Sequence, residues 1–211
     1  MAHVLVIGAS GGIGRETLSA ALDAGHRVRA FSRSANEIDV ENSYLEKRSG
    51  DAMNEAGIDA ALDGIDVVVQ TLGIGADELF KSVNLFSEST RILIAAMQRR
   101  NVRRLIVVTG FGAGDSREAI GCLQRIPFRL FLGRAYNDKD VQERLIKESG
   151  LDWTIVRPGI LTKGARTGRY RVLVEPSQWR NGVISRADVA DFIVRSIDDD
   201  GRAQQAPVLI W

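Results

Sequence analysis

The sequence predicts an α/β domain in which a doubly wound, mostly parallel sheet carries helices on both of its faces. Strand-like apolar runs alternate with helical segments along the 211 residues, and the links between them are short. The runs at 67–69 and 105–108 are continuously apolar, as expected for strands that helices bury on both faces. Such sheets hold ligands beyond the carboxyl ends of their strands. The expected strands cover residues 3–8, 27–32, 44–48, 66–71, 104–109, 152–156 and 206–210, and the expected helices cover 12–24, 54–62, 77–100, 135–149 and 187–198.

Local signals support these elements in chain order. The first strand runs directly into glycines, and Ala-rich helical sequence follows as far as Gly25. Residues 110–134 contain five glycines and a proline, so we expect an irregular, substrate-side loop there, directly after a central strand. Ser185, with Asp188 three residues later, is expected to cap the last long helix. A single domain over 1–211 accommodates all of these elements.

The turn after the first strand carries the strongest functional signal in the chain. It reads GASGGIG over residues 8–14. Glycines let the backbone turn sharply and approach phosphates, while the free N–H groups and the dipole of the following helix favour negative charge. We therefore predict a site for a dinucleotide pyrophosphate, the alternative being a tight strand–helix turn that binds nothing. The predicted cofactor-binding residues of this turn are Gly8, Ser10, Gly11, Gly12, Ile13 and Gly14.

The end of the second strand indicates which dinucleotide is bound. An NAD site usually has an Asp or Glu there to bind the adenosine ribose, whereas this chain has Ser32, Arg33 and Ser34. A guanidinium with flanking hydroxyls suits a 2′-phosphate, since its fork binds phosphate oxygens bidentately. Arg15 is expected to add a second positive charge. We predict NADP(H) in preference to NAD(H), the alternative for Arg33 being a solvated loop cation.

Composition excludes several other classes of function. The chain is 45% hydrophobic with a net charge of +1, which gives no general attraction to nucleic acid or anionic membranes. No apolar run approaches the roughly 20 residues that span a bilayer. One cysteine, Cys122, and two histidines, His3 and His26, make no convincing zinc site. We expect a cytoplasmic protein, a monomer or weak homo-oligomer, whose partner is a small-molecule acceptor.

Three segments carry a resemblance to a known family. The GASGGIG turn resembles the extended and atypical branches of the short-chain dehydrogenase/reductase superfamily. Residues 101–113 read NVRRLIVVTGFGA, and residues 149–159 read SGLDWTIVRPG. Both are similar to segments of atypical short-chain reductases. Together the three segments resemble the NAD(P)H-binding, NmrA-like proteins, including the biliverdin reductase B/flavin reductase group, and they imply a Rossmann sheet that binds NAD(P).

The resemblance implies further cofactor contacts. Gly50, Asp51 and Ala52 match a segment whose backbone amide and Asp side chain meet the adenine ring, although Asp51 also suits a helix cap or a surface charge. Lys139 matches the family lysine that binds the nicotinamide ribose, although it also suits a surface charge. The remaining matches are Thr71, Leu72 and Gly73 along the ribose and nicotinamide, and Pro158, Gly159 and Ile160 against the carboxamide.

The candidate catalytic residues, Thr109, Tyr136 and Lys139, depart from the superfamily pattern. Short-chain dehydrogenases commonly place a tyrosine four residues before the lysine, where this chain has Ala135. Tyr136 precedes Lys139 by three residues, which turns it about 100° around a helix. Thr109 and Gly110 stand where a serine is common. The pattern therefore disfavours the proton relay of alcohol oxidation.

Two classes of function fit these observations. The first is a reductase that passes hydride from NADPH to a flavin, a quinone or a similar conjugated ring, and mainly orients two rings. The second is a non-catalytic NADP(H)-binding sensor or chaperone. An apolar set within 110–134 suits either an acceptor pocket or a partner site: Phe111, Leu123, Ile126, Phe128, Leu130 and Phe131.

Overall fold

The computed structural model describes residues 1–73, 84–119 and 122–211, with the backbone alone described for 122–134 and 200. Within these residues the chain forms ten strands and five α-helices. The strands are β1 (His3–Ile7), β2 (Arg27–Ser32), β3 (Leu45–Ser49), β4 (Val67–Gln70), β5 (Arg104–Val108), β6 (Asp152–Pro158), β7 (Ile160–Thr162), β8 (Arg171–Leu173), β9 (Val183–Ser185) and β10 (Val208–Ile210). The helices are α1 (Gly12–Asp23), α2 (Glu55–Ala61), α3 (Leu85–Arg99), α4 (Cys122–Lys147) and α5 (Arg186–Ile197).

Eight of the strands form one sheet in the order β3-β2-β1-β4-β5-β6-β10-β8. All neighbours in it are parallel except β8, which runs antiparallel to β10. In the sheet Val4 of β1 lies opposite Val28 on one side and Val67 on the other. The chain thus leaves β1 towards β2 and resumes on the other side at β4, and such a reversal of strand order is where open sheets bind ligands. The predicted fold class is confirmed.

Alternate side chains of β1 enter two hydrophobic cores, one on each face of the sheet. Val4 and Val6 are buried in a core that includes side chains of α1 and α5. Leu5 and Ile7 are buried in a second core, with side chains of α2, α3 and α4. This double burial explains why the central strands are continuously apolar in sequence.

The structure corrects the expectation of an irregular loop over 110–134. Helix α4 begins at Cys122 and runs through Pro127 and Gly133 without a break. Both residue types weaken a helix by intrinsic propensity, which is why the sequence favours a loop there. The later part of α4 packs on α3, and its Ile146 is fully buried in the second core, so tertiary packing outweighs the local preference. Of the expected loop, residues 110–113 are irregular, and Gly114–Ala119 form a 3-10 helix.

Smaller differences concern short strands and side chains. Strands β7, β8 and β9 are three residues long each and have no counterpart among the expected strands, and β7 pairs with β9 outside the main sheet. The expected helix over 77–100 begins at Leu85, and residues 77–83 lie outside the described part. Phe111 is buried in a small core with Leu173, Val208 and Ile210. The side chains of the other apolar residues expected beside it, Leu123, Ile126, Phe128, Leu130 and Phe131, lie outside the described part. No described helix is long and apolar enough to cross a membrane.

Candidate cofactor site

A cleft of about 770 Å³ opens at the carboxyl ends of the parallel strands. Ile7, Phe31 and Val108, at the ends of β1, β2 and β5, lie on its lining. The glycine turn between β1 and α1 forms another part of that lining. The cleft therefore lies at the switch point of the sheet, where the sequence predicts a dinucleotide.

The glycines of the turn have different structural roles. Gly8 has φ +86°, and a Cβ there would lie 2.9 Å from the carbonyl oxygen of Thr71. A Cβ on Gly14 would lie 2.1 Å from the carbonyl oxygen of Gly8, so only glycine fits between the turn and α1. A Cβ on Gly11, by contrast, would meet nothing closer than 3.4 Å. Gly8 and Gly14 thus allow the turn to fold, while Gly11 leaves space open for a ligand.

The first turn of α1 presents free backbone donors to the cleft. Its N-cap, Gly11, makes no side-chain hydrogen bond, and no acidic side chain lies in the first turn. The N–H of Arg15 donates to the carbonyl of Gly11, so the amides of Gly12, Ile13 and Gly14 precede the first bond within the helix. Unpaired amides at a helix N-terminus are suited to phosphate oxygens.

The end of β2 supplies a cation and an unpaired hydroxyl. The Arg33 side chain is exposed on the cleft lining, and no described residue forms an ion pair with it. The Oγ of Ser32 is buried and has no hydrogen-bond partner in the described part of the chain. Asp51 also lines the cleft, but its Oδ1 accepts from the N–H of Met53 at 2.9 Å, so one of its oxygens stabilises a local turn.

Thr109, which directly follows β5, and Lys139 of α4 both lie on the cleft lining. The Nζ of Lys139 donates to the carbonyl oxygen of Thr109 and lies 4.8 Å from the centroid of the Phe86 ring. Burial lowers the pKa of Lys139 to about 8, although the nearby charge of Glu143 opposes this shift. The hydroxyl of Thr109 donates to Glu143 at 2.7 Å, so this threonine presents an acceptor, and not its proton, to the cleft.

A buried ion pair lies next to this threonine. The side chains of Arg157 and Glu143 are 0% and 1% exposed, and Arg157 Nε donates to Glu143 Oε1 at 3.0 Å. Arg157 Nη2 makes a second bond to Glu143 Oε2, so the pair is bidentate. Asp115 lies 3.7 Å from the guanidinium and accepts from Lys147, which lowers the pKa of the Asp115 carboxyl. Arg157 belongs to the segment 149–159 that carries the family resemblance, but no motif in the sequence pairs it with Glu143.

The structure brings most of the predicted site residues together. Those on the cleft lining are Gly8, Ser10, Gly11, Gly12, Ile13, Arg33, Ser34, Asp51, Ala52, Thr71, Leu72, Gly73, Thr109, Lys139 and Pro158. Five predicted residues are not on that lining: Gly14, Arg15, Tyr136, Gly159 and Ile160. Gly50, which precedes the expected adenine contact Asp51, is also on the lining. A further set of lining residues is missed by sequence reasoning, and most of them flank strand ends or the glycine turn: Ile7, Phe31, Met53, Asn84, Leu85, Val108, Leu161 and Arg186.

The predicted residues that are not on the lining have identifiable surroundings. Tyr136 packs its hydroxyl against Gly110, where an added Cβ would lie 2.8 Å from the phenol oxygen. Burial raises the pKa of Tyr136 to about 12. A Cβ on Gly159 would lie 2.3 Å from the carbonyl oxygen of Gly182, and the side chain of Ile160 is exposed. Tyr136 is therefore a weak acid turned towards the backbone of Gly110.

Fold and site together define a dinucleotide-binding α/β protein. The sequence model of the NAD(P)H-binding family matches residues 8–200, so the chain belongs to that family. Several proteins similar to this chain are named as reductases, epimerases or dehydrogenases.

Several known proteins are similar over nearly the whole chain. The solved structure of ChuY, an anaerobillin reductase from Escherichia coli O157:H7, is 28% identical and covers 99% of this chain and 96% of its own, with a TM-score of 0.82. YhfK of Bacillus subtilis, named an uncharacterized sugar epimerase, is 28% identical over 96% of this chain and 91% of its own length. The photosystem II assembly factor Ycf39 of Synechocystis is 23% identical over 96% of this chain but only 60% of its own length.

Proposed function

We propose that the protein is an NADPH-dependent reductase that passes hydride to a flavin, a quinone or a similar conjugated small molecule. The observation that carries the proposal is the cleft itself, which joins an open glycine turn and Arg33 to Lys139 and Thr109. The likeness to a protein named as an anaerobillin reductase supports reduction as the reaction. A cleft of this volume is in the range of small-molecule and cofactor sites.

The residues present fit a bound dinucleotide phosphate. Gly11 leaves the space that a side chain would fill, and the free amides of α1 lie at the same end of the cleft. The unpaired hydroxyl of Ser32 and the guanidinium of Arg33 suit the oxygens of a 2′-phosphate. Lys139, which is on the lining, suits the hydroxyls of the nicotinamide ribose.

In hydride transfer from a bound dinucleotide, the main role of the chain is to position the cofactor and the acceptor. The bound cofactor supplies a hydride, and the chain has to hold it beside an acceptor ring. Among the described lining residues there is no phenol or carboxylic acid at the Lys139 end, and the Thr109 proton is committed to Glu143. A conjugated acceptor tolerates this, because water can protonate it after hydride transfer. The chain's contribution to rate is then the orientation of two rings.

Cofactor choice is tested by titrating NADPH and NADH into the wild type and Arg33→Ala. A lost charge-assisted phosphate bond costs on the order of 1.5–3 kcal/mol, so NADPH affinity should fall about 10- to 100-fold while NADH affinity stays the same. Arg169→Ala, which removes an exposed arginine that is not on the cleft lining, is the matched control. Equal wild-type affinities, or an unchanged NADPH affinity in the Arg33 variant, would refute the preference.

Reductase activity is tested by following NADPH oxidation with a panel of flavins and quinones. Saturable turnover that depends on both the acceptor and the protein is the expected result. Gly11→Val supplies the control, because it blocks the phosphate space and should remove turnover together with cofactor binding. Tight NADPH binding without turnover on any acceptor would contradict the proposal.

A non-catalytic NADP(H)-binding role is the second candidate. It is favoured by the likeness to Ycf39, which is named as an assembly factor. In this case cofactor occupancy would change the affinity for a partner protein. The turnover experiment separates the two candidates, since a sensor binds NADPH with no acceptor-dependent oxidation.

A further inference from the structure

Arg186 is a cleft residue that no sequence motif marks. It is the first residue of α5, directly after the N-cap Ser185, and its half-buried side chain lies on the cleft lining. A Cβ placed on Gly12 would lie 2.7 Å from Arg186 Nε and 2.9 Å from its Cδ. The Arg186 side chain therefore packs directly against the first turn of α1.

The position of this guanidinium is electrostatically unfavourable without an anion. The N-terminus of a helix carries a partial positive charge, and the start of α1, which has no acidic residue in its first turn, lies beside the Arg186 side chain. The start of α5 differs, because Asp188 lies in its first turn and Ser185 caps it. In the described part of the chain no carboxylate forms an ion pair with it, and Asp51 is the one acidic residue on the described lining. The positive end of α1 and the Arg186 cation thus face one volume of the cleft.

A hydrogen bond orients the Arg186 side chain and still leaves most of its N–H donors available. Its Nη1 donates to the carbonyl oxygen of Thr162 at 3.1 Å, and this is its one hydrogen bond within the described residues. A guanidinium has five N–H donors in a fixed fork. The bond to Thr162 thus orients the fork while leaving donors for phosphate oxygens.

We propose that Arg186, together with the first turn of α1, neutralises the cofactor pyrophosphate, whichever nicotinamide dinucleotide is bound. This inference rests on the proposed dinucleotide site. It gives the two arginines of the cleft different roles, since Arg33 selects for the 2′-phosphate, whereas Arg186 contributes equally to every ligand that carries a pyrophosphate.

The test compares four ligands by isothermal titration calorimetry on the wild type and Arg186→Ala. NADPH, NADH and ADP-ribose all contain the pyrophosphate, whereas 2′-AMP carries only the 2′-phosphate. We expect Arg186→Ala to weaken the first three by a similar factor of about 10- to 100-fold and to leave 2′-AMP unchanged. Arg33→Ala should weaken NADPH and 2′-AMP but not NADH or ADP-ribose, and Arg169→Ala should change none of the four.

Two results would overturn the inference. One is an unchanged affinity of Arg186→Ala for NADH and ADP-ribose. The other is an equal loss for 2′-AMP, which would show that Arg186 supports the shape of the whole cleft. If the wild type binds NADH and NADPH equally, the proposed NADPH preference fails, but Arg186 is still judged by the NADH and ADP-ribose affinities.

Gly12→Ala is a second, independent variant. Alanine is favoured over glycine in a helix, so the fold should be retained, but the new Cβ would displace the flexible Arg186 side chain. Because it acts by displacing Arg186, Gly12→Ala should weaken NADH binding when introduced into the wild type. Introduced into the Arg186→Ala variant, it should have little further effect. Additive losses in the double variant would contradict the proposed contact.

Discussion

The buried pair Arg157–Glu143 allows a quantitative prediction. Glu143→Leu would leave a fully buried guanidinium whose remaining contacts are weak: 3.4 Å to the carbonyl oxygen of Ala206, 3.7 Å to Asp115 and 4.9 Å to the centroid of the Trp179 ring. Removing one partner of a buried ion pair costs about 3–5 kcal/mol, because the other charge stays desolvated. A domain of this size loses about 2–4 °C in melting temperature per kcal/mol, so we expect a fall of about 6–20 °C.

The assay is thermal and urea unfolding followed by circular dichroism. Glu143→Gln is the matched control, since it retains an acceptor oxygen for Arg157 and should lose less stability than the leucine variant. In the double variant Glu143→Leu/Arg157→Met both charges are gone, and we expect most of the loss to be recovered. A leucine variant within about 1 kcal/mol of the wild type, or a double variant at least as unstable as the single one, would refute this reasoning.

Three further predictions concern the cleft. Gly14→Ala should destabilise the fold by about 1–3 kcal/mol or more, because its Cβ would lie 2.1 Å from the carbonyl oxygen of Gly8. Gly11→Val, in contrast, should melt at the wild-type temperature but bind no dinucleotide. Melting curves and NADPH titrations measure both effects, and normal NADPH binding by the Gly11 variant would place the phosphates elsewhere. Tyr136→Phe should leave acceptor turnover within a few-fold of the wild type, whereas a drop of about 100-fold with intact cofactor affinity would identify the phenol as the proton donor. The Lys139 ammonium loses its charge as the pH rises through its pKa of about 8, so NADPH affinity measured from pH 6.5 to 9.5 should fall above about pH 8. Lys139→Arg should not show this fall, because arginine keeps its charge over this range. The same fall in the arginine variant would show that another group titrates.

The elements that sequence predicts best are those whose burial is itself periodic or continuous. Strands β1, β2, β4 and β5 match their expected bounds to within one residue at each end, because apolar runs mark strands covered on both faces. Strands β7, β8 and β9 are too short to show a pattern over three residues. Their formation depends on partners elsewhere in the chain, as Ile160 pairs with Val183.

The residues of the site also divide into those that local sequence specifies and those that depend on tertiary packing. The turn at 8–14 and the cation Arg33 are evident in the sequence because a backbone motif and the end of a strand specify them locally. Arg186 is not evident, since its sequence context indicates only a helix cap at Ser185, which the structure contains as a bond from the Asp188 N–H to the serine Oγ. Its contact with Gly12 exists only because α1 and α5 pack side by side.

The two cores that β1 separates have a consequence for how substitutions combine. Because Val6 and Ile7 point into different cores, a cavity made on one face need not relax into the other. The destabilisation from a variant such as Val6→Ala should then sum with that from Met97→Ala, since well-separated sites without shared neighbours act independently. Substitutions that accumulate on the α1–α5 face should therefore change the free energy of unfolding independently of those on the α2–α4 face. The sheet backbone is the boundary that the two faces share.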